Sequence, residues 1–259
     1  MKKFIKIISI IFLLFIVIVF SLEIMFKDYT NNIDQTFHRY YNNDSNVECI
    51  LIGNSHIQAL QNSTIKNLKS FNFSFGGQDI FHINSIVKSI CKKKNNIKLI
   101  IIGIDYDLLG YDYQTANTLW KDRLYFRSTG ELYDSSLINK MLAKSNFFNA
   151  NRDFSKIISK NTEINNNNVI PILKNNSNCK ERAEEHSNLK FDQTLIKKNL
   201  RYLKKIAKTL KKQNISFLFI TTPKSKGYMD NYLNKNMLEC KVILNNFCSE
   251  NNIRYYDFS

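Results

Sequence analysis

The sequence predicts an α/β protein: a three-layer, doubly wound parallel sheet of about five strands, with a helical and loop cap inserted into it and a transmembrane helix at the N-terminus. Apolar runs typical of buried strands alternate along the chain with segments of helical periodicity. Strands that are apolar throughout favour a parallel sheet with both faces covered. The 259 residues are enough to bury such a core without help from a metal or disulfides.

The first 26 residues predict a signal-anchor helix. An apolar run of 16 residues, 7–22, follows Lys2, Lys3 and Lys6. A cleaved signal peptide is the competing interpretation, but it would have a shorter apolar region and a small-residue cleavage site. The positive charges place the N-terminus in the cytoplasm. We therefore expect a single-pass cell-membrane protein whose main domain is extracytoplasmic.

The folded domain is predicted over 47–259, after a polar and aromatic segment at 27–46 that is typical of a stalk or a short helix. The apolar runs, several rich in β-branched residues, predict five strands. They lie at 47–52, 70–75, 97–104, 215–221 and 253–258.

Helical periodicity separates these strands. It predicts a short helix at 57–68, a helix at 80–90 capped by Asp79, and helices at 195–212 and 237–248. The segment at about 106–190 is less regular, with aromatic islands and an Asn-rich run. We expect it to form helices and long loops that cap one side of the sheet.

Composition limits the classes of partner. The net charge of +15 is consistent with anionic partners or with a lysine-biased proteome. The lysines are scattered and few aromatic residues lie among them, which favours the second interpretation and argues against nucleic acid. Five cysteines without a CxxC spacing and four dispersed histidines indicate no metal site and no disulfide framework. No cofactor is predicted, and the pairing of the cysteines and the oligomeric state stay open.

Three features follow the carboxyl ends of predicted strands: Ser55, the pair Gly76 and Gly77, and Asp105. In doubly wound sheets, ligands bind at this edge. A serine on a strand-to-helix turn is a candidate nucleophile, because backbone N–H groups at the start of the helix point toward its site. The neighbouring His56 points to a different side of the turn, which argues against it as the general base for Ser55, so we expect it to line the pocket or to take part in packing.

Three short segments carry a resemblance to a known family: Gly-Asn-Ser-His at 53–56, Asn-Phe-Ser-Phe-Gly-Gly-Gln at 72–78 and Ile-Gly-Ile-Asp at 102–105. In order and spacing they resemble the SGNH (GDSL-like) hydrolase superfamily. The likeness is greatest to the membrane-anchored bacterial branch linked to acylation of cell-surface polysaccharide or teichoic acid. It covers about 47–104 and 195–259.

The resemblance implies a flavodoxin-like SGNH domain in which Ser55 is the catalytic nucleophile. It also implies that Gly76 and Gly77 contribute to the oxyanion hole, with Asn54, His56 and Asp105 in the pocket.

The chain departs from the family pattern twice. Asp105 stands where the family has an oxyanion-binding Asn, and an ionised carboxylate accepts hydrogen bonds and repels an oxyanion. Asp105 would then orient loops, or backbone groups alone would form the hole. The family's general base, a His in a late D-x-x-H block, has no counterpart here; His38, His82 and His186 lie elsewhere in the sequence. Either the chain is truncated before that block, or it is a natural member that has lost activity.

Two hypotheses follow. The first is an extracytoplasmic serine esterase or O-acyltransferase that acts on ester-linked acyl groups of a surface glycan, with a glycan or an acyl donor as substrate. The alternative is a non-catalytic, membrane-tethered accessory or glycan-binding module that uses Trp120, Tyr125 and Phe126, although core packing is the more ordinary role for those aromatics. A phosphate site at Gly53 is a third option, without the glycine-rich loop such sites need.

Overall fold

The computed structural model describes residues 1–43, 46–60, 65, 67–92, 96–113, 120–150, 176–187 and 192–259, with only the backbone at 43 and 176–179. These residues contain a five-stranded parallel sheet of order β2-β1-β3-β4-β5. The strands are β1 (Cys49–Ile52), β2 (Ser70–Asn72), β3 (Leu99–Gly103), β4 (Ser216–Thr221) and β5 (Arg254–Asp257). The predicted α/β class, parallel sheet and strand number are confirmed.

Helices connect the strands. They are α1 (Lys2–Met25), α2 (Asn32–Asn43), α3 (Ser55–Gln58), α4 (Ile80–Cys91), α5 (Trp120–Thr129), α6 (Leu137–Lys144), α7 (Asn146–Ala150), α8 (Asn176–Ser187), α9 (Gln193–Lys212), α10 (Lys226–Tyr232) and α11 (Lys235–Glu250), with a 3-10 turn at Tyr106–Gly110. Asp79 caps α4 as predicted, because its side chain accepts a hydrogen bond from the backbone of His82.

The register brings the carboxyl ends of the central strands to one edge. Ile52 of β1 is level with Ile102 of β3, and Gly103 of β3 is level with Ile220 of β4. The strand order reverses direction between β1 and β3, since the chain moves outward from β1 to β2 and then returns to β3 on the other side. This switch point is where open parallel sheets bind their ligands.

Among the described residues, the two faces of the sheet are covered unequally, so this part of the chain does not form the predicted three full layers. One face presents residues such as Ile50, Ile100 and Phe219 to the main core, which includes residues of α2, α4, α9 and α11. The other face carries a small cluster around Leu51, Ile57 and Ile220. Toward β5 this second face is open among the described residues, because the alternating positions Arg254 and Tyr256 are exposed.

The segment at 27–46 is not a stalk, and α2 is the short helix that its pattern also allowed. Ile33, Phe37 and Tyr40 of α2 are buried in the main core. The ring of Phe37 lies 4.9 Å from that of Phe73, and the ring of Tyr40 lies 5.2 Å from that of Phe71. The spacing of these apolar residues gives α2 one buried face, and its polar residues account for the overall polarity of the segment.

The helix predicted at 57–68 is much shorter. Residues 59, 60, 65, 67 and 68 are not helical, and 61–64 and 66 lie outside the described residues. The Asn72 side chain donates to the carbonyl groups of Ile57 and Leu60, at 3.1 and 2.8 Å. Asn72 thus satisfies carbonyls at the end of α3 that a longer helix would have paired, and it ties α3 to the end of β2.

Helix α1 stands apart from the core. It has 24 residues, and its most apolar window of 18 residues has a mean hydropathy of 3.0. None of its residues is buried, and it is long and apolar enough to cross a membrane. Its end contacts the cap: the Glu23 carboxylate accepts hydrogen bonds from the hydroxyl of Ser145 and the backbone of Asn146. The ring of Phe26 also lies 5.9 Å from that of Phe147.

A buried histidine joins α4 to the cap. Nδ1 of His82 lies 2.7 Å from Asp79, and Nε2 lies 2.9 Å from Asp122 of α5. Burial alone would lower the pKa of His82, but the two carboxylates outweigh it and raise the pKa above its usual value. Burial would likewise raise the pKa of Asp79, and the charge of His82 instead lowers it. His82 is therefore a structural cation, in keeping with its placement on a helix away from the predicted site.

Candidate active site

The turn after β1 holds the predicted nucleophile. Asn54 caps α3, since its Oδ1 accepts a hydrogen bond of 3.0 Å from the backbone of His56. Ser55 is the first residue of this four-residue helix and is half-buried. In the described part of the chain, neither its hydroxyl nor its backbone N–H has a hydrogen-bond partner. Both groups remain available to a substrate.

Asp105, just after β3, is the central acceptor of the site. Its Oδ2 accepts hydrogen bonds from Nδ1 of His56 at 2.5 Å and from Nδ2 of Asn54 at 2.7 Å. Its Oδ1 accepts a hydrogen bond of 2.6 Å from Nζ of Lys224. The three residues expected in the pocket, Asn54, His56 and Asp105, are thus brought together.

Asp105 is ionised. Burial alone would raise its pKa, but the hydrogen bond from His56 and the charge of Lys224 hold the pKa well below its usual range. A carboxylate that accepts three hydrogen bonds has no proton to donate to an oxyanion. Of the two roles that the sequence left open, this geometry fits the orienting one, because Asp105 links the turn after β1 to the loop after β4.

The pairing with Asp105 fixes the tautomer of His56. Because an ionised carboxylate only accepts, Nδ1 of His56 must be the donor. In the neutral ring Nε2 is then the acceptor, and it has no hydrogen-bond partner among the described residues. The side chain is 28% exposed, so a ligand or water can reach it. A histidine oriented by a carboxylate through one nitrogen, with the other nitrogen open, has the arrangement of a general base.

The glycine pair lies on the loop beside this turn. The backbone of Phe75 donates a hydrogen bond of 3.1 Å to the carbonyl of Gly53, so the chain after β2 runs next to the turn that holds Ser55. Gly77 has a φ of +68°, a conformation that side chains disfavour. A Cβ at Gly77 would also lie 3.1 Å from Nζ of Lys121.

Two other glycines set the position of α3. A Cβ added to Gly103 would lie 2.0 Å from Cγ1 of Ile57, and one added to Gly53 would lie 2.7 Å from the same atom. Ile57 is fully buried at this point. Because Gly53 and Gly103 have no side chains, α3 packs closely against the ends of β1 and β3. This close packing brings His56 within hydrogen-bonding distance of Asp105.

Several neighbours of the site were not predicted. Lys224 follows β4, and its side chain is only 3% exposed. Nδ1 of His186 lies 2.6 Å from the hydroxyl of Tyr228, and its ring lies 6.5 Å from that of His56. Burial lowers the pKa of His186, which favours the neutral ring. Only the position of Lys224, three residues past a strand end, gave a usable signal in the sequence.

Asp107 forms a second buried acidic position. Its Oδ1 accepts a hydrogen bond of 2.6 Å from the Tyr232 hydroxyl, and its backbone donates to the same hydroxyl at 3.0 Å. Burial raises the pKa of Asp107, and the charge of Asp105 raises it further. Asp107 therefore differs from Asp105, whose ionised form is stabilised by His56 and Lys224.

Neither a protein-family model nor a curated protein matches this chain. The likeness to SGNH hydrolases therefore remains a resemblance of three short segments of sequence. Within the described ranges, no group of three His, Cys, Asp or Glu side chains is arranged to hold a metal ion.

A large cavity lies beside the site and between α2 and α5; we call it the α2–α5 cavity. Its volume is about 890 Å³. Its lining includes Gln58 of α3 and Gly76, but not Ser55, His56 or Asp105. The cavity therefore reaches the last residue of α3 and the glycine loop, whereas the hydrogen-bonded cluster lies outside it.

Proposed function

We propose that the protein is an extracytoplasmic serine esterase or O-acyltransferase that acts on acyl esters of a surface glycan. One observation carries the proposal: Ser55 begins a helix at the switch point of the sheet, next to a histidine whose Nδ1 is bonded to a buried carboxylate. A serine hydroxyl needs a base before it attacks a carbonyl carbon. Here an oriented histidine lies beside it in the chain.

In the proposed reaction, Oγ of Ser55 attacks the ester carbonyl carbon while its proton passes to Nε2 of His56. The bond to the donor alcohol then breaks, and the proton on Nε2 is transferred to the departing oxygen. This leaves the acyl group on Ser55. Water or a sugar hydroxyl next gives its proton to Nε2 and attacks the acyl carbon. Ser55 recovers the proton as the acid or the new ester leaves.

The proposed proton transfer from Ser55 to His56 is indirect. Neighbouring side chains on a helix do not face each other, and no hydrogen bond joins Ser55 to His56. Transfer therefore runs through one bridging water or a substrate hydroxyl, which is within the reach of general-base catalysis. The sequence argued against His56 as the general base only because its side chain points away from Ser55. The hydrogen bond to Asp105 orients the imidazole ring, and the sequence did not indicate this contact.

The oxyanion of the tetrahedral intermediate needs donors aimed at it. We assign this role to the backbone N–H groups of Ser55 and Gly77, neither of which has a partner among the described residues. Lys121, whose Nζ would lie 3.1 Å from a Cβ at Gly77, adds a positive charge near that loop.

Two features support a location at the membrane surface. Helix α1 is long and apolar enough to span a bilayer, and its end is bonded to the start of α7 through Glu23. The adjoining helix α6 exposes Leu137, Ile138 and Met141, by 75%, 70% and 63%. An exposed apolar face on a helix that packs against α7, which α1 contacts, fits contact with lipid.

Fluorophosphonate labelling of the detergent-solubilised full chain tests the catalytic proposal. Labelling should occur on the wild type and vanish in Ser55→Ala, whereas Ser249→Ala, which removes an exposed serine from α11, should label normally. A wild-type chain that is folded yet unlabelled would leave the non-catalytic glycan-binding module as the better account.

A second set of variants identifies the base. His56→Gln should slow labelling by about 10²- to 10⁴-fold, the usual contribution of a general base. His186→Gln should have a much smaller effect, because its Nδ1 is bonded to a tyrosine rather than a carboxylate. The reverse order of the two variants would move the role of base to His186.

A further inference from the structure

The lining of the α2–α5 cavity is positively charged. Among the residues that the structure describes, three cationic side chains contribute to it, namely Arg39, Lys121 and Arg123, and no Asp or Glu side chain does. A concave site whose described lining carries cations and no carboxylates attracts anions. This is a more specific signal than the net charge of the whole chain, which the sequence left open.

The two arginines do not have acidic partners. The guanidinium of Arg39 donates to the hydroxyl of Thr36 at 3.3 Å, and that of Arg123 donates to Oδ1 of Asn139 at 3.2 Å. Neither forms an ion pair within the described part of the chain. Each guanidinium has five N–H donors in a planar fork suited to carboxylate or phosphate, so most of these donors stay available.

The remaining lining suits a sugar chain. Tyr113 is fully buried, but the half-buried ring of Trp120, whose centre lies 5.8 Å from Nζ of Lys121, is an aromatic surface that a ligand can reach. Aromatic faces stack on the apolar faces of sugar rings. Gln58 and Asn32 are exposed amides without side-chain partners in the described residues, and an amide both donates to and accepts from hydroxyl groups.

One buried polar group in the lining also lacks a partner. The hydroxyl of Ser74 has no hydrogen bond within the described residues, although the residue is only 4% exposed. Leaving a buried hydroxyl unpaired is costly, so this group favours a ligand that offers it a hydrogen bond. Ser74 lies two residues before Gly76, on the side of the cavity nearest the candidate active site.

We propose that the α2–α5 cavity binds a glycan that carries phosphate or carboxylate groups. This inference rests on the proposed function, in which the bound glycan is the substrate of Ser55. The cavity reaches Gln58, three residues after Ser55 on α3, and Gly76, next to the proposed oxyanion donor Gly77. A bound chain that leaves the cavity at this end passes the reactive hydroxyl.

Ligand binding in the cavity can be followed by tryptophan fluorescence, because Trp120 lines the cavity and is the only tryptophan in the sequence. Tryptophan fluorescence of the full chain in detergent would be titrated with three probes: a galacturonate oligosaccharide, a poly(glycerol phosphate) oligomer and a neutral malto-oligosaccharide. We expect saturable changes with at least one anionic probe, none with the neutral one, and weaker binding at higher salt. The two anionic probes distinguish carboxylate from phosphate.

Arginine variants test the assignment. Arg39→Gln and Arg123→Gln should each weaken binding about ten-fold or more, the effect of losing a charge-assisted hydrogen bond. Arg254→Gln, which removes an exposed arginine from β5, should bind as the wild type does. Circular dichroism of each variant confirms that it has folded.

Comparing glycan binding with fluorophosphonate labelling tests this inference separately from the catalytic proposal. Ser55→Ala should bind the anionic probe normally and lose only fluorophosphonate labelling. Equal binding of the neutral probe, no binding of either anionic probe, or unchanged affinity in both cavity variants would overturn the inference. Binding without labelling of the wild type would retain the anionic cavity and remove the catalytic role.

Discussion

Asp105 is a buried carboxylate whose cost of burial is offset by three donors. Nζ of Lys224 is equally buried, so each charge depends on the other, and His56 and Asn54 satisfy the remaining acceptor capacity. Removing one partner of a buried pair is far more damaging than removing a surface pair, because it leaves a charge without compensation.

Asp105→Asn should therefore destabilise the protein by about 3 kcal/mol, the typical cost of breaking a buried ion pair. It should also abolish most labelling of Ser55, because the amide does not hold His56 in the same tautomer. Chemical denaturation and fluorophosphonate labelling measure the two effects. Lys180→Gln, at an exposed pair with Glu184, is the control that should change neither. A stable Asp105→Asn variant with normal labelling would contradict the role given to this residue.

His82 predicts a pH dependence of stability. Its pKa in the folded protein is above the usual 6.5, so its contribution is fully present below about pH 6.5 and is lost as the pH rises through the raised value. His82→Gln should cost about 3 kcal/mol or more at pH 6, since it leaves Asp79 and Asp122 without their cation. The difference from the wild type should shrink at higher pH.

Urea unfolding at several pH values between 6 and 9 measures this difference. His38→Gln is the matched control, because His38 is exposed on α2. A difference between wild type and His82→Gln that grows as the pH rises would contradict a protonated His82.

At the scale of elements, α3 depends on two glycines and one asparagine. Gly103→Ala should push Ile57 away from the strand end and cost about 1–3 kcal/mol, the usual cost of overpacking. It should also reduce labelling, because Ser55 and His56 move with α3. Gly227→Ala meets no atom within 4 Å and should leave both properties intact. The truncation Ile57→Ala should partly rescue Gly103→Ala, and simple addition of the two losses would contradict the proposed clash.

The strands were predictable because buried parallel strands are continuous apolar runs, and their boundaries agree within a few residues. The length of α3 was not predictable, because Asn72, a residue of the next strand, donates to the carbonyl groups of Ile57 and Leu60 around the C-terminal end of α3. The place of α2 in the core was similarly hidden, since three buried residues lie within a segment that is polar on average. In both cases a tertiary contact decided what local composition left open.

At the scale of the whole molecule, the meeting of Ser55, Gly77 and Asp105 at one edge followed from the parallel sheet. The partners Lys224 and His186 did not follow, because they come from a loop after β4 and from a helix of the cap. Their contacts with Asp105 and Tyr228 span 119 and 42 residues of sequence. The position of Lys224 after a strand end places it at this edge of the sheet, but periodicity and spacing do not show which distant residue it contacts.

The membrane assignment gives a further prediction. Replacing Leu13 and Ile16 of α1 with Arg should prevent insertion, since each central arginine costs about 2.5–3.5 kcal/mol. The wild-type chain should stay in the membrane fraction after carbonate washing, and the double variant should not. Leu137→Ala on α6 is the control that should leave α1 inserted. Release of the wild type by carbonate would contradict a spanning helix.

The central claim is that Ser55 becomes acylated. The most direct measurement is mass spectrometry of the full chain after brief incubation with p-nitrophenyl acetate, followed by mapping of the modified peptide. The account predicts one acetyl group on Ser55, slower acetylation in His56→Gln and none at this position in Ser55→Ala. An unmodified wild-type chain, or acetylation confined to other residues, would contradict it.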